Sequence, residues 1–270
     1  MRLSRILTIG VAALTLGLAA ALTGTGTPAK AASSVRYVSL GDSYASGVGA
    51  GNENGPCDQS PNAFGPLWTS ANSPASFTVA ACSGATTSTV ISGQLSSLSA
   101  STTLVSIVIG GNDVGFTSIM ETCVLGSTSA CESAVSKAEQ YANTTLPGSL
   151  STLFADIKAH APNAKVVVLD YPDFYDLSVP VCIGLSSGDH QAIDNGINDL
   201  DGVIQTAAGK AGFHFADVRS QFSGHELCDN AGWLNSLSIF DIHTSYHPTA
   251  TGQADGYFPV FTAAAQAVGQ

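Results

Sequence analysis

The sequence predicts a single α/β domain built on a parallel sheet, and three features carry that prediction. Five short runs rich in β-branched and apolar residues are spread through the chain: Val35–Leu40, Phe77–Ala81, Leu104–Ile109, Lys165–Leu169 and Phe213–Val218. Their near-continuous hydrophobicity suits strands covered on both faces. Longer segments between them have helical composition or spacing, and strands alternating with helices imply a parallel sheet. Finally, no repeat, low-complexity linker or charge run divides the chain.

Taken in order, the first element is an address signal. Arg2 and Arg5 precede an almost uncharged apolar run from Ile6 to Leu22, and Ala29-Lys30-Ala31 has the small-x-small pattern of a cleavage site. Residues 1–31 therefore read as a signal peptide cut after residue 31 or 32, and 32–270 as one domain of the secreted, extracellular protein. A membrane anchor is the competing reading, but no basic stop-transfer flank follows the apolar run. The strands Val35–Leu40, Phe77–Ala81 and Leu104–Ile109 come next. Cys131–His160 holds Ala, Lys, Glu and Leu in helical abundance, with a break or kink expected at Pro147-Gly148. After the strand Lys165–Leu169, Ser187–Ala211 reads as a helix, because Ile193, Ile197, Leu200 and Ile204 recur at helical spacing. Phe213–Val218 is the last strand.

Charge and cysteine usage narrow the function. Three of the nine basic residues lie in the leader, so six are left against 20 acidic ones. Phosphate-binding surfaces need clustered Lys and Arg, which excludes a nucleic-acid partner. The six cysteines, Cys57, Cys82, Cys123, Cys131, Cys182 and Cys228, all follow the leader. In an exported chain they read as three disulfides, and chain order suggests Cys57–Cys82, Cys123–Cys131 and Cys182–Cys228 among the possible connectivities. A metal site is the weaker alternative, since no CxxC pair occurs.

Ligands of parallel α/β sheets sit beyond the carboxyl ends of the strands, so chemistry should follow a strand directly. Three polar motifs do. Val35–Leu40 runs into Gly41-Asp42-Ser43, Phe77–Ala81 into Cys82-Ser83-Gly84-Ala85, and Leu104–Ile109 into Gly110-Gly111-Asn112-Asp113. A fourth, Ser245-Tyr246-His247-Pro248-Thr249, lies near the C-terminus. In this order and spacing the four resemble the signature blocks of the SGNH (GDSL-type) hydrolases, and they span most of the mature chain. With Gly224-His225-Glu226-Leu227-Cys228, the whole chain also resembles the compact extracellular lipases and phospholipases A1 of actinomycetes. That resemblance implies a three-layer α/β/α, flavodoxin-like fold with a central, mostly five-stranded parallel sheet.

It also implies roles. Ser43 matches the nucleophile and His247 its general base. The backbone N–H groups of Ser43 and Gly84, with the side-chain amide of Asn112, match an oxyanion hole. The residue types suit those tasks: a serine hydroxyl is a poor nucleophile until a neighbouring base takes its proton, and the developing oxyanion needs preorganised donors. One departure matters. Many family members place an Asp three residues before the histidine, where this chain has Thr244. Asp241 lies six residues back, and a main-chain carbonyl can also orient an imidazole through Nδ1–H. A Ser–His dyad is the favoured reading, with the carbonyl of Ser245 replacing the acid and that of Thr244 as second choice.

Plainer explanations exist for each residue. The glycines can serve turns, Ser43 can cap a helix, and Asn112 can serve an Asx turn. His243 and His247 are four apart, but Pro248 argues against a helical zinc pair. Gly47-x-Gly49-x-Gly51 lacks the third glycine of a dinucleotide loop at the required offset, Ser43 is not in a GxSxG elbow because Ala45 stands two residues on, and no HExxH or Walker motif occurs. No metal and no cofactor are expected. The expected substrate is a lipid ester, met in transient contact with a lipid interface by a monomer. Tyr44, Val48, Val114, Phe116 and Ile119 are the candidates to line an acyl groove. The alternatives are a carbohydrate acetylesterase and, from another class, an inactive extracellular binding protein.

Overall fold

The structure, a computed structural model, describes residues 34–179, 182, 184–238 and 241–270. The leader and its cleavage position lie outside the described residues. Five strands form one sheet: β1 (Arg36–Gly41), β2 (Ser76–Val79), β3 (Leu104–Val108), β4 (Lys165–Leu169) and β5 (His214–Ala216). All neighbours are parallel and the order is β2-β1-β3-β4-β5. This is the flavodoxin-like order, whose topological switch point lies between β1 and β3.

Helices cover both faces. They are α1 (Ser43–Ser46), α2 (Phe64–Asn72), α3 (Thr87–Thr89), α4 (Phe116–Leu125), α5 (Thr128–Thr144), α6 (Leu146–His160), α7 (Ser187–Ala211), α8 (Arg219–Phe222) and α9 (Phe258–Ala267). Helices α2 and α9 cover one face, where Tyr37 of β1 packs against Trp68 and Phe261. The other face carries α6 and α7, with α5 packed on both and α4 on α5. The central strands are rich in β-branched residues and buried: every residue of β3 is buried, as are Val166 to Leu169 of β4.

Several elements differ from the sequence reading for identifiable reasons. The run Phe77–Ala81 is not a strand covered on both faces. It forms the edge strand β2, which ends at Val79 and alternates between exposed and half-buried residues. The last strand is shorter than Phe213–Val218, because the Val218 N–H turns away from the ladder to the Asp170 carboxylate at 2.8 Å. The stretch Cys131–His160 is two helices, since Pro147 enters the first turn of α6, where its missing N–H costs no helical bond. Helix α7 spans Ser187–Ala211 as its periodicity indicates, with a Ser186–Asp189 capping box at its start and Gly212 in left-handed conformation at its end. The disulfides pair in chain order: Cys57–Cys82, Cys123–Cys131 and Cys182–Cys228.

Candidate active site

The first motif begins where β1 must stop. Gly41 has φ +123°, and a Cβ there would collide with the Val108 carbonyl, so only glycine lets β1 and β3 stay paired at this point. Gln94 reads the same peptide from the far side: its amide accepts from the Gly41 N–H and donates to the Gly41 carbonyl, both at 2.8 Å. Asp42 is then the N-cap of α1, its carboxylate accepting from the Tyr44 N–H at 3.0 Å. Ser43 is the first residue of that helix rather than a bare turn residue. Its N–H therefore has no acceptor within the helix and is available to a ligand.

Asp42 is fully enclosed, and burial pushes its carboxyl up to about 7 against the bonds from Tyr171 and Tyr44. The Tyr171 hydroxyl donates to it at 2.5 Å and accepts from the Gly111 N–H at 3.0 Å. One phenol thus ties the first motif to the third across the β1/β3 switch point.

The second and third motifs hold each other. Asp113 accepts from the Thr87 N–H and, at 2.6 Å, from the Thr87 hydroxyl. The side-chain amide of Asn112 donates to the Ala85 carbonyl at 3.0 Å. An amide nitrogen carries two hydrogens, so that bond leaves a second donor on the same atom. Gly84 sits between them at φ +75°, exposed, with open space where a Cβ would be. Its loop is anchored by the Cys57–Cys82 disulfide and by the Ser83 N–H to the Cys57 carbonyl at 3.1 Å.

The fourth motif arrives on an irregular loop. His247 Nε2 lies 2.8 Å from Ser43 Oγ, and His247 Nδ1 lies 3.1 Å from the Ser245 carbonyl. A carbonyl only accepts, so Nδ1 carries the hydrogen and Nε2 is free to accept the serine proton. Tyr246, between them, adopts φ +68°, a conformation held by two outside contacts. The Tyr44 hydroxyl donates to the Tyr246 carbonyl at 2.7 Å, and the Tyr246 N–H donates to the Asn235 carbonyl at 2.7 Å. Asn235 also donates through its side chain to the carbonyls of His247 and Gly49, each at 3.0 Å. Ser43 and His247 are both buried, and burial pushes the imidazole down to about 4, opposed by the Ser245 carbonyl bond. The ring is neutral at ordinary pH.

Asp241 is exposed, and its backbone carbonyl accepts from Ser245 and Thr244 hydroxyls. His243 points to Asp58 at 3.1 Å. Among the described residues no group of three or more His, Cys, Asp or Glu side chains is arranged to hold a metal ion. Of the residues expected to line a groove, Tyr44, Val114, Phe116 and Ile119 border a cavity beside Ser43. Val48 does not: it is fully buried one turn past α1, its N–H bonded to the Ser43 carbonyl.

The model of the GDSL-like lipase/acylhydrolase family matches residues 39–254. The chain belongs to that family. This GDSL-family protein is 49% identical over 260 residues to Lipase 1 of Streptomyces coelicolor, covering 94% of this chain and 97% of the relative. Among solved structures it is similar to phospholipase A1 from Streptomyces albidoflavus NA297, with 46% identity and TM-score 0.83, covering 85% of this chain and 99% of that one. The extracellular lipase from Streptomyces rimosus is similar to the same extent: 44% identity, TM-score 0.83, and the same 85% and 99% coverage.

Residues that the sequence did not single out now have tasks. Tyr171, Gln94, Asp113 and Asn235 brace the four motifs, each through a bond to a residue 26 to 60 positions away or to the neighbouring loop. Asp113 closes the third motif, where the sequence reading gave it no task, and the other three stand in no local pattern that marks them.

Proposed function

We propose that this GDSL-family chain is a secreted carboxylic-ester hydrolase of the lipase or phospholipase A1 type, acting by a Ser43–His247 dyad. The 2.8 Å contact between His247 Nε2 and Ser43 Oγ carries this reading. Ser43 Oγ attacks the ester carbonyl carbon as His247 Nε2 takes its proton. The oxyanion accepts from the N–H groups of Ser43 and Gly84 and from the Asn112 amide. On collapse the carbon–alkoxide bond breaks and His247 returns the proton to the leaving alcohol. Water then repeats the sequence on the acyl-serine and frees the acid. The Ser245 carbonyl, 3.1 Å from Nδ1, holds the tautomer, and its partial negative charge stabilises the imidazolium when the ring is protonated.

The lipid preference is supported by the apolar residues around Ser43 and by relatives named lipase and phospholipase A1. Secretion from residue 32 onward is supported by the leader composition and the three disulfides. The same reading takes the active form to be a monomer that touches the lipid interface transiently. A fluorophosphonate probe should label Ser43 in the wild type and not in Ser43→Ala. Product analysis on a mixed-acyl phosphatidylcholine beside a triacylglycerol should then release fatty acid. A folded protein that neither labels nor releases acid would be a binding protein instead.

A further inference from the structure

His243 has no task in the chemistry above, yet it lines a groove that opens over Ser43 and His247. The groove, about 330 Å³, also borders Gly84 and Asn112, and its size lies at the small end of the roughly 300–1,000 Å³ of ligand pockets. Among the described residues no Lys or Arg lines it. Its titratable side chains are Glu121 on α4, the buried and neutral His247, Tyr246, and His243. His243 is therefore the one place where this groove can offer a substrate a positive charge.

The ring is also aimed. His243 Nε2 lies 3.1 Å from Asp58 Oδ2, with the two side chains 54% and 37% exposed. A carboxylate only accepts, so Nε2 carries a hydrogen, and in the protonated ring Nδ1–H is a second donor. Asp58 is held in turn. It takes a left-handed φ of +49° beside Cys57, whose disulfide to Cys82 ties this turn to the Gly84 loop. An exposed pair of this kind adds little to folding, so changing it tests binding rather than stability.

Reaction chemistry supplies the distance. The leaving alkoxide must sit within reach of His247 Nε2 to recover a proton, so the alcohol half of an ester occupies this groove. In a glycerophospholipid the phosphorus lies roughly 6 Å from the sn-1 ester oxygen along an extended chain, scaled from the ~3.3–3.6 Å that three backbone bonds advance. The ring centres of His243 and His247 are 6.4 Å apart. A lipid whose ester oxygen meets His247 can thus set its phosphate against His243, while Glu121 repels that phosphate from the α4 side. We infer that His243, oriented by Asp58, binds the phosphodiester of a glycerophospholipid headgroup. The inference rests on the ester-hydrolase reading above.

A charge at His243 also acts on His247, so the readout is a ratio in which that common effect cancels. The test measures kcat/KM at about pH 6, below the ordinary imidazole value, on dihexanoylphosphatidylcholine and dihexanoylglycerol. Both are kept monomeric, which removes the lipid surface from the comparison. His243→Gln should lower the ratio of phospholipid to diacylglycerol turnover about tenfold, the scale of one hydrogen bond to a charged group. His243→Arg keeps a cation suited to phosphate and should hold the ratio within about threefold of wild type. A histidine with only a structural role would lower both turnovers together. A ratio unmoved by His243→Gln, or lowered equally in both variants, overturns the assignment. So does inorganic phosphate that inhibits diacylglycerol hydrolysis below the phospholipid KM in the wild type and not in His243→Gln, since the site would then serve a free anion. A folded wild type that hydrolyses neither substrate contradicts the ester-hydrolase reading instead, which is a separate failure.

Discussion

Ser43 and His247, the pair proposed to react, are held in opposite ways. Ser43 follows a buried central strand and starts a capped helical turn, so the sheet fixes its backbone. His247 arrives 204 residues later on a loop without regular structure, positioned by Tyr44, Asn235 and the Ser245 carbonyl. The serine inherits its place from the sheet and the capped turn that follows it. The histidine depends on a few local bonds, some from side chains and some between the backbones of 233–235 and 246–249, each worth about 0.5–1.5 kcal/mol net. Damage on the serine side should therefore act on chemistry or on the whole fold, whereas damage on the histidine side should loosen the site alone.

The largest effects remove the pair itself. Ser43→Ala and His247→Ala should each lower kcat about 10⁴-fold or more with an unchanged melting transition, and the double variant should lose no more than either single one. Additive losses in the double variant would show that the two do not act as a unit. Asn112→Ala removes one oxyanion donor and should lower kcat about 10²–10³-fold with KM nearly unchanged. Because the same amide also braces the Ala85 carbonyl, Asn112→Asp serves as the control, and it should be at least as damaging. Asn235→Ala tests the comparison most specifically: two carbonyl partners are lost, so kcat should fall about tenfold while stability falls by roughly 1–3 kcal/mol. A full loss of activity there would mean that the backbone bonds left in place do not hold the loop.

The smallest effect belongs to Asp241→Asn. Its carboxylate is not a partner of His247, whose Nδ1 faces the Ser245 carbonyl, and kcat should stay within about twofold, as surface substitutions generally leave folding untouched. A collapse of kcat in this variant would restore a triad.

How much of this was legible in the sequence follows the same division. The strand-then-motif pattern marked Ser43, Gly84 and Asn112, because a parallel strand, buried for β1 and β3 and at the sheet edge for β2, ends at the edge where ligands bind. The Pro147 break and helix α7 were legible from local chemistry. Strand ends were not: β5 stops where Asp170, 48 residues earlier, captures the Val218 N–H. Tyr171, Gln94 and Asn235 stayed hidden for a related reason. Their contribution is a single side chain reaching a distant peptide, and no periodicity or spacing records such a bond. The missing Asp at Thr244 did show, as an absence that left a carbonyl to orient the ring.

The imidazole also sets a pH dependence. Burial lowers His247 to about 4 from its ordinary 6.5. Between those values the unfolded chain binds more protons than the folded one, so this group's share of stability is present above pH 6.5 and is lost as pH falls toward 4. The acid limb of kcat/KM should likewise lie near pH 4, where the base is protonated.

The most direct measurement is ¹⁵N NMR of the His247 ring across this range. A neutral imidazole with the hydrogen on Nδ1 and a bare Nε2, titrating near pH 4, is the expected result. A hydrogen resident on Nε2 at neutral pH would leave Ser43 without a proton acceptor and would contradict the account.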